Sequence, residues 1–271
     1  MSDPESRPLR DVNPDHPPAP LTEAARTEIA GLARRQRAAN GVVMRVISLA
    51  GKQVEDGMKF LPKGARGQIE GAARSALSRA YDAAAASRRG PLAARVGTDW
   101  HHRALGTVSG ALGGAGGLPT VLAEIPVTTA VIFRAVQGVA EAHGEDPTAE
   151  ATRAECLRVF GAGLPGEADD GIDTSFIGAR LGLTGPAIHT LIGRVAPRFA
   201  AVLGQKLAAG AVPLVGAVAG AGINYAFVDY YVELAHVHFG LRELIREHGE
   251  AQVLDAFHAE LARASAPVTR A

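Results

Sequence analysis

LAAGAVPLVGAVAGAGINYAFV, residues 207–228, runs directly into DYYVELAHVHFGLRELIREH, residues 229–248. The first segment has no charge in 22 residues and is rich in Ala and Gly; the second is charged and amphipathic, and Gly249 stops it. Apolar residues recur here at the spacing of a helix, and strand alternation is absent. The expected fold is therefore all-α, a multi-helix domain.

A second charge-free stretch strengthens that reading. Residues 104–123 are 20 residues without a charge, six of them glycine. Gly106, Gly110 and Gly114 are spaced by four, which puts them on one helix face where another backbone can approach. With Gly216 and Gly220 in the other stretch they predict a central Gly/Ala-rich helical hairpin. Pro119 and Pro213 interrupt the two stretches, and neither has the Leu, Ile and Phe content that drives insertion across a bilayer. These glycines and prolines are the expected helix-packing or lipid-contact residues.

Working outward, residues 1–21 carry six prolines and little apolar surface, and are expected to be a disordered leader. Thr22 is the expected N-cap of a first helix through Ile29 and Leu32. A second helix carries Ile69, Ala73, Leu77, Ala80 and Tyr81. A helix over 126–143 should close at Gly144, and Asp146-Pro147 should start the next, with Cys156, Leu157 and Phe160. A loop follows at 161–173, then two shorter helices at about 175–183 and 187–203. A last helix carries Leu254, Phe257 and Leu261. The single domain spans 22–263, with a flexible tail at 264–271.

The chain has 28 basic and 28 acidic residues, one Cys and one Trp. A single cysteine excludes a disulfide framework and a cysteine-rich zinc module. Few aromatics predict a core of closely approaching small residues. Residues 22–103 hold 15 basic and 7 acidic groups, net +8; residues 104–271 hold 11 and 17, net −6. The basic half could attract anionic headgroups, or face the acidic half. No aromatic-interleaved basic pattern points to nucleic acid. The N-terminus lacks the basic-then-apolar run of a secretory signal, so the expected location is the cytoplasm, peripheral on the inner face of the membrane.

Asp229, Glu233 and His236 fall within about 60° on one helix face, and Glu-x-x-His is a spacing used by two-metal helical bundles. A divalent metal is the one cofactor candidate. The other reading of this stripe, which Gly240, Glu243 and Glu247 continue, is the wet face of an amphipathic helix. His238 points to the opposite face. The acidic loop Glu167, Asp169, Asp170, Asp173 lacks EF-hand spacing. Trp100 is a core or interface residue, and Cys156 a buried structural thiol. There is no nucleophile elbow, Walker-type loop or His-Glu-x-x-His pair.

Residues 113–119 (GGAGGLP) and 124–129 (EIPVTT), with Gln205-Lys206, 211–217 (AVPLVGA), Ile223-Asn224-Tyr225 and Asp229, resemble the bacterial EcsC protein family. Phe60-Leu61-Pro62, His238-Phe239 and Arg242 fit the same pattern, so the resemblance runs from about Phe60 to Gly249. It implies a fold group and a transport or envelope context, since the family is named for a protein encoded beside an ABC transport system. It supplies no catalytic residue. The functional expectation is a membrane-peripheral protein that binds lipid or a membrane surface. A metal-dependent hydrolase using Asp229, Glu233 and His236, or a non-enzymatic regulatory partner of a transporter, are the alternatives.

Overall fold

The computed structural model describes residues 18–39, 41, 77, 79–86, 102–105, 107, 108, 118–162 and 215–265. All regular structure among them is helical. In chain order the elements are α1 (23–39), α2 (79–86), α3 (102–105, with 107 and 108), α4 (Leu118–Ala142), α5 (Glu150–Ala162), α6 (Val215–His248) and α7 (Glu250–Ser265). The expected all-α class is what is found. Gly106, Gly110, Gly114, Pro213, Trp100, the acidic loop and the helices expected at 175–203 lie outside the described residues.

Local chemistry sets the helix ends. Thr22 Oγ1 accepts the Ala25 amide at 3.1 Å, the expected N-cap of α1. Gly144, at φ +76°, follows the end of α4. Its N–H donates to the Glu141 carbonyl and that of Glu145 to Ala140, both at 3.0 Å, the paired bonds of a Schellman close. Gly249, at φ +81°, separates α6 from α7 by one residue.

Two expected boundaries move. α4 begins at Leu118 and passes through Pro126, which the sequence reading placed at the helix start. Pro119 sits at its second position, where no N–H is needed, but Pro126 removes one ladder bond. Asp146 does not cap α5. Its Oδ1 accepts the Thr148 amide at 2.8 Å and hydroxyl at 2.7 Å, so Asp146-Pro147 makes an Asx-type turn and α5 starts at Glu150.

Residues 215–248 form one continuous 34-residue helix, as the opening stretch predicts, about 50 Å long at 1.5 Å per residue. Among the four longer described helices, α4 to α7, it packs most extensively on α4. Asn224 donates to Thr128 Oγ1 at 3.0 Å, and further along both helices His143 meets His236 and Glu243. Both residue numbers rise together, so α4 and α6 run parallel. α5 returns antiparallel: Glu155 faces His238, and Phe160 faces Tyr231.

α6 links two core clusters. One holds Leu77, just before α2, Ala80 and Tyr81 of α2, Phe133, Val136 and Ala140 of α4, Leu157 and Phe160 of α5, and Val228, Tyr231, Val232, Leu234 and Ala235 of α6. Few aromatics were expected to matter, yet Tyr81, Phe133, Phe160 and Tyr231 form a column across four helices. Successive centroids are 5.4, 5.0 and 5.0 Å apart. Alanines at 135, 140, 154 and 235 fill the space beside it. The second cluster joins Ile29 and Leu32 of α1 to Val237, Leu241 and Leu244 of α6 and to Val253 and Phe257 of α7. Residues 18–21, assigned by sequence to the leader, lie against this corner: Leu21 packs on the cluster, and His248 Nδ1 donates to the Ala19 carbonyl at 3.2 Å.

Candidate functional site

The expected metal-ligand face is built from about two turns of α6, and its carboxylates are met by arginines. Arg103 of α3 places Nε 2.7 Å from Asp229 Oδ1, an ion pair whose N–H is not aimed at the oxygen. Its Nη2 reaches Glu233 Oε1 at 3.4 Å, and Arg35 of α1 donates to Glu233 Oε2 at 2.7 Å. His236 meets His143, with Nδ1 3.3 Å from His143 Nε2. Among the described residues no group of three or more His, Cys, Asp or Glu side chains is placed to hold a metal. The three residues that share a face by spacing thus serve two separate contacts.

His238, set apart by its opposite face, is buried against α5. Its Nε2 lies 2.9 Å from Glu155 Oε2, while Arg158 and Arg242 reach Glu155 Oε1 at 2.6 and 3.2 Å. Burial alone pushes the Glu155 carboxyl up, but the His238 contact and the charges of His238, Arg242 and Arg158 together hold it below the usual carboxylate range. Glu145, also buried, accepts Arg242 Nε at 3.1 Å and Arg246 Nη1 at 2.7 Å. This ionic layer between α5 and α6 was not anticipated. Its one local signal is Glu155 and Arg158 set three apart among Ala154, Cys156, Leu157 and Val159. Cys156 itself is fully buried, as expected.

The other end of α4 and α6 is different in kind. Parallel packing brings the start of both helices to the same end of the bundle, and with them parts of both charge-free stretches. Gly216 and Gly220 lie in the first turns of α6. Among the described residues the exposed large apolar side chains are Leu105, Val108, Val127 and Tyr225. Val127 and Tyr225 adjoin the bonded pair Thr128 and Asn224. Leu105 and Val108 follow Arg103, which is tied to Asp229 one turn beyond Tyr225. The ion pairs of Arg35, Arg103, Asp229 and Glu233 thus lie one to two turns along α6 from Tyr225. Among the described residues no helix is long and apolar enough to cross a membrane.

Residues 52–169 match the model of the EcsC protein family. The matched span includes residues 60–62, 113–119 and 124–129, is consistent with the resemblance, and ends before residues 205–242. No curated protein matches the chain significantly, and no solved structure does.

Proposed function

With an EcsC-family segment at residues 52–169 as its premise, we propose that the protein is a membrane-peripheral protein that lays the apolar end of the α4–α6 pair on a lipid surface. The observation that carries this reading is the exposure of Leu105, Val108, Val127 and Tyr225, 43 to 58 % each, the large apolar side chains left open to solvent among the described residues.

The magnitudes set the expected mode. Burying the exposed halves of four large side chains is worth about 4 kcal/mol, which alone corresponds to a dissociation constant of about 1 mM. A second attraction is required for stable attachment. The net +8 of residues 22–103 supplies it toward anionic headgroups. Binding is then shallow, reversible and salt-sensitive, on the cytoplasmic leaflet, and a partnership with an ABC transport system would be made from that position.

Co-sedimentation of the protein with anionic and neutral liposomes, at low and high salt, tests this. The expected result is binding to anionic liposomes that weakens with salt and is lost in a Val108→Glu, Val127→Glu double variant. Both positions are exposed, so the variant should fold. Absence of binding to either liposome, or binding unchanged in that variant, overturns the reading.

A further inference from the structure

The described part of α3 has two sides. At about 100° per residue, Leu105 and Val108 fall roughly 60° from one another and about 140° or more from Arg103. The side chains follow that division. Arg103 is turned to α6, with Nε 2.7 Å from Asp229 Oδ1 and Nη2 3.4 Å from Glu233 Oε1. Leu105 and Val108 are exposed. Thr107 donates its hydroxyl to the Arg103 carbonyl at 2.8 Å, a bond between residues four apart that keeps Arg103 and Val108 on one piece of helix. The two apolar residues therefore stand opposite the grip of α3 on α6.

That grip falls close to a third exposed apolar residue. Asp229 follows Tyr225 by about one turn and lies within about 40° of it around α6. Glu233 is one turn further along the same face, so Arg103 bridges two successive turns. Arg35 of α1 donates to the other Glu233 oxygen at 2.7 Å, so two carboxylates meet two guanidiniums and the charges balance.

The side chains of Arg103, Asp229 and Glu233 are each 20 to 25 % exposed. Ion pairs this open to water add little to global stability. A cation between carboxylates on successive turns nevertheless has one place where both attractions are met. That place fixes where α3 lies along α6. The cluster therefore acts on placement more than on folding.

We propose that Arg103 is a positioning residue for the lipid-contacting surface: its ion pairs with Asp229 and Glu233 fix α3 on α6 and so hold Leu105 and Val108 out for the bilayer that Tyr225 meets. This rests on the membrane reading above and adds the means by which that surface is assembled. Positioning and simple attraction predict opposite signs. Neutralising Asp229 makes the protein more positive, which by charge alone tightens binding to an anionic surface. Loss of the grip on α3 loosens it.

Co-sedimentation with vesicles of phosphatidylglycerol and phosphatidylethanolamine in equal parts tests it, on the wild type, Asp229→Asn, Arg103→Gln and Arg103→Lys. Asp229→Asn, with the helix content and melting temperature of the wild type, should bind on the order of tenfold more weakly, because two of the four exposed apolar side chains ride on α3. Arg103→Gln should be weakened as well, and Arg103→Lys, which returns a cation to the carboxylates, should recover most of the loss. Glu233→Gln carries the same opposed signs and serves should Asp229→Asn fail to fold. Wild-type binding matched or exceeded by the folded Asp229→Asn or Glu233→Gln variant, or equal binding by the two Arg103 variants, overturns the proposal and leaves the membrane reading standing. No binding by the wild type removes both.

Discussion

Tyr231 donates its hydroxyl proton to the Phe160 carbonyl at 3.2 Å while its ring stacks on that of Phe160, centroids 5.0 Å apart and planes within 5°. Phe160 is in the last turn of α5, where carbonyls lack intrahelical donors. One side chain of α6 thus closes a helix end and completes the aromatic column. Tyr231→Phe removes only the hydrogen bond, at a cost of about 1 kcal/mol. Tyr231→Ala also leaves a cavity, and should cost about 3 to 5 kcal/mol. Urea denaturation of both variants measures the difference.

Glu155 should set much of the acid limit of stability. Its folded-state carboxyl titrates below the ordinary value of 4.5, so its contribution is present above pH 4.5 and is lost as pH falls through the folded value. Glu155→Gln leaves Arg158, Arg242 and His238 without that buried partner, and should cost about 3 kcal/mol at pH 7. The variant should also lose less stability than the wild type between pH 5 and pH 3, as read from denaturation midpoints.

At the alkaline limit the sign is the same for two tyrosines. Burial pushes the Tyr81 and Tyr231 hydroxyls well above the ordinary value of 10, with Cys156 adding to the effect at Tyr81 and Tyr230 at Tyr231. Both remain protonated in the folded protein while the unfolded chain ionises. Stability contributed by the neutral forms is full below pH 10 and falls above it. Tyr231→Phe should make this fall shallower; identical slopes in denaturation at pH 10 to 11 would contradict it.

The two positive-φ glycines should respond unequally to alanine. At Gly144 an added Cβ meets nothing closer than Arg246 Nη2 at 4.0 Å, so Gly144→Ala costs the left-handed strain of about 1 to 2 kcal/mol. At Gly249 the same atom would lie 2.8 Å from Pro18 Cβ. Gly249→Ala adds displacement of residues 18–21 to the same strain. Its melting temperature should fall further than that of Gly144→Ala, and limited proteolysis near Pro18 should quicken.

What the sequence made legible is what local chemistry controls. Thr22, Gly144 and Gly249 mark helix ends through their own backbone and side-chain needs, and residues 215–248 persist as one helix because nothing interrupts their pattern. Pro126 misled because packing of α4 overrides a proline's local preference, and Asp146 because its side chain chose Thr148 over a helix. The surroundings of Asp229, Glu233 and His236 were not legible. Arg35 is 198 residues from Glu233 in sequence, and His143 is 93 from His236. Spacing on one helix tells which side chains share a face, and only the fold supplies what meets it.

The parallel pairing of α4 with α6 also has a consequence for biosynthesis. A parallel partner cannot follow across a short turn, and 72 residues lie between Ala142 and Val215. At roughly 5 to 20 residues per second, a ribosome needs several seconds or more after finishing α4 to deliver the helix that covers it. Through that interval the nascent chain presents Phe133, Val136 and Phe160 uncovered by α6. A product terminated before residue 215 would keep them so, which makes such fragments natural clients of chaperones and proteases.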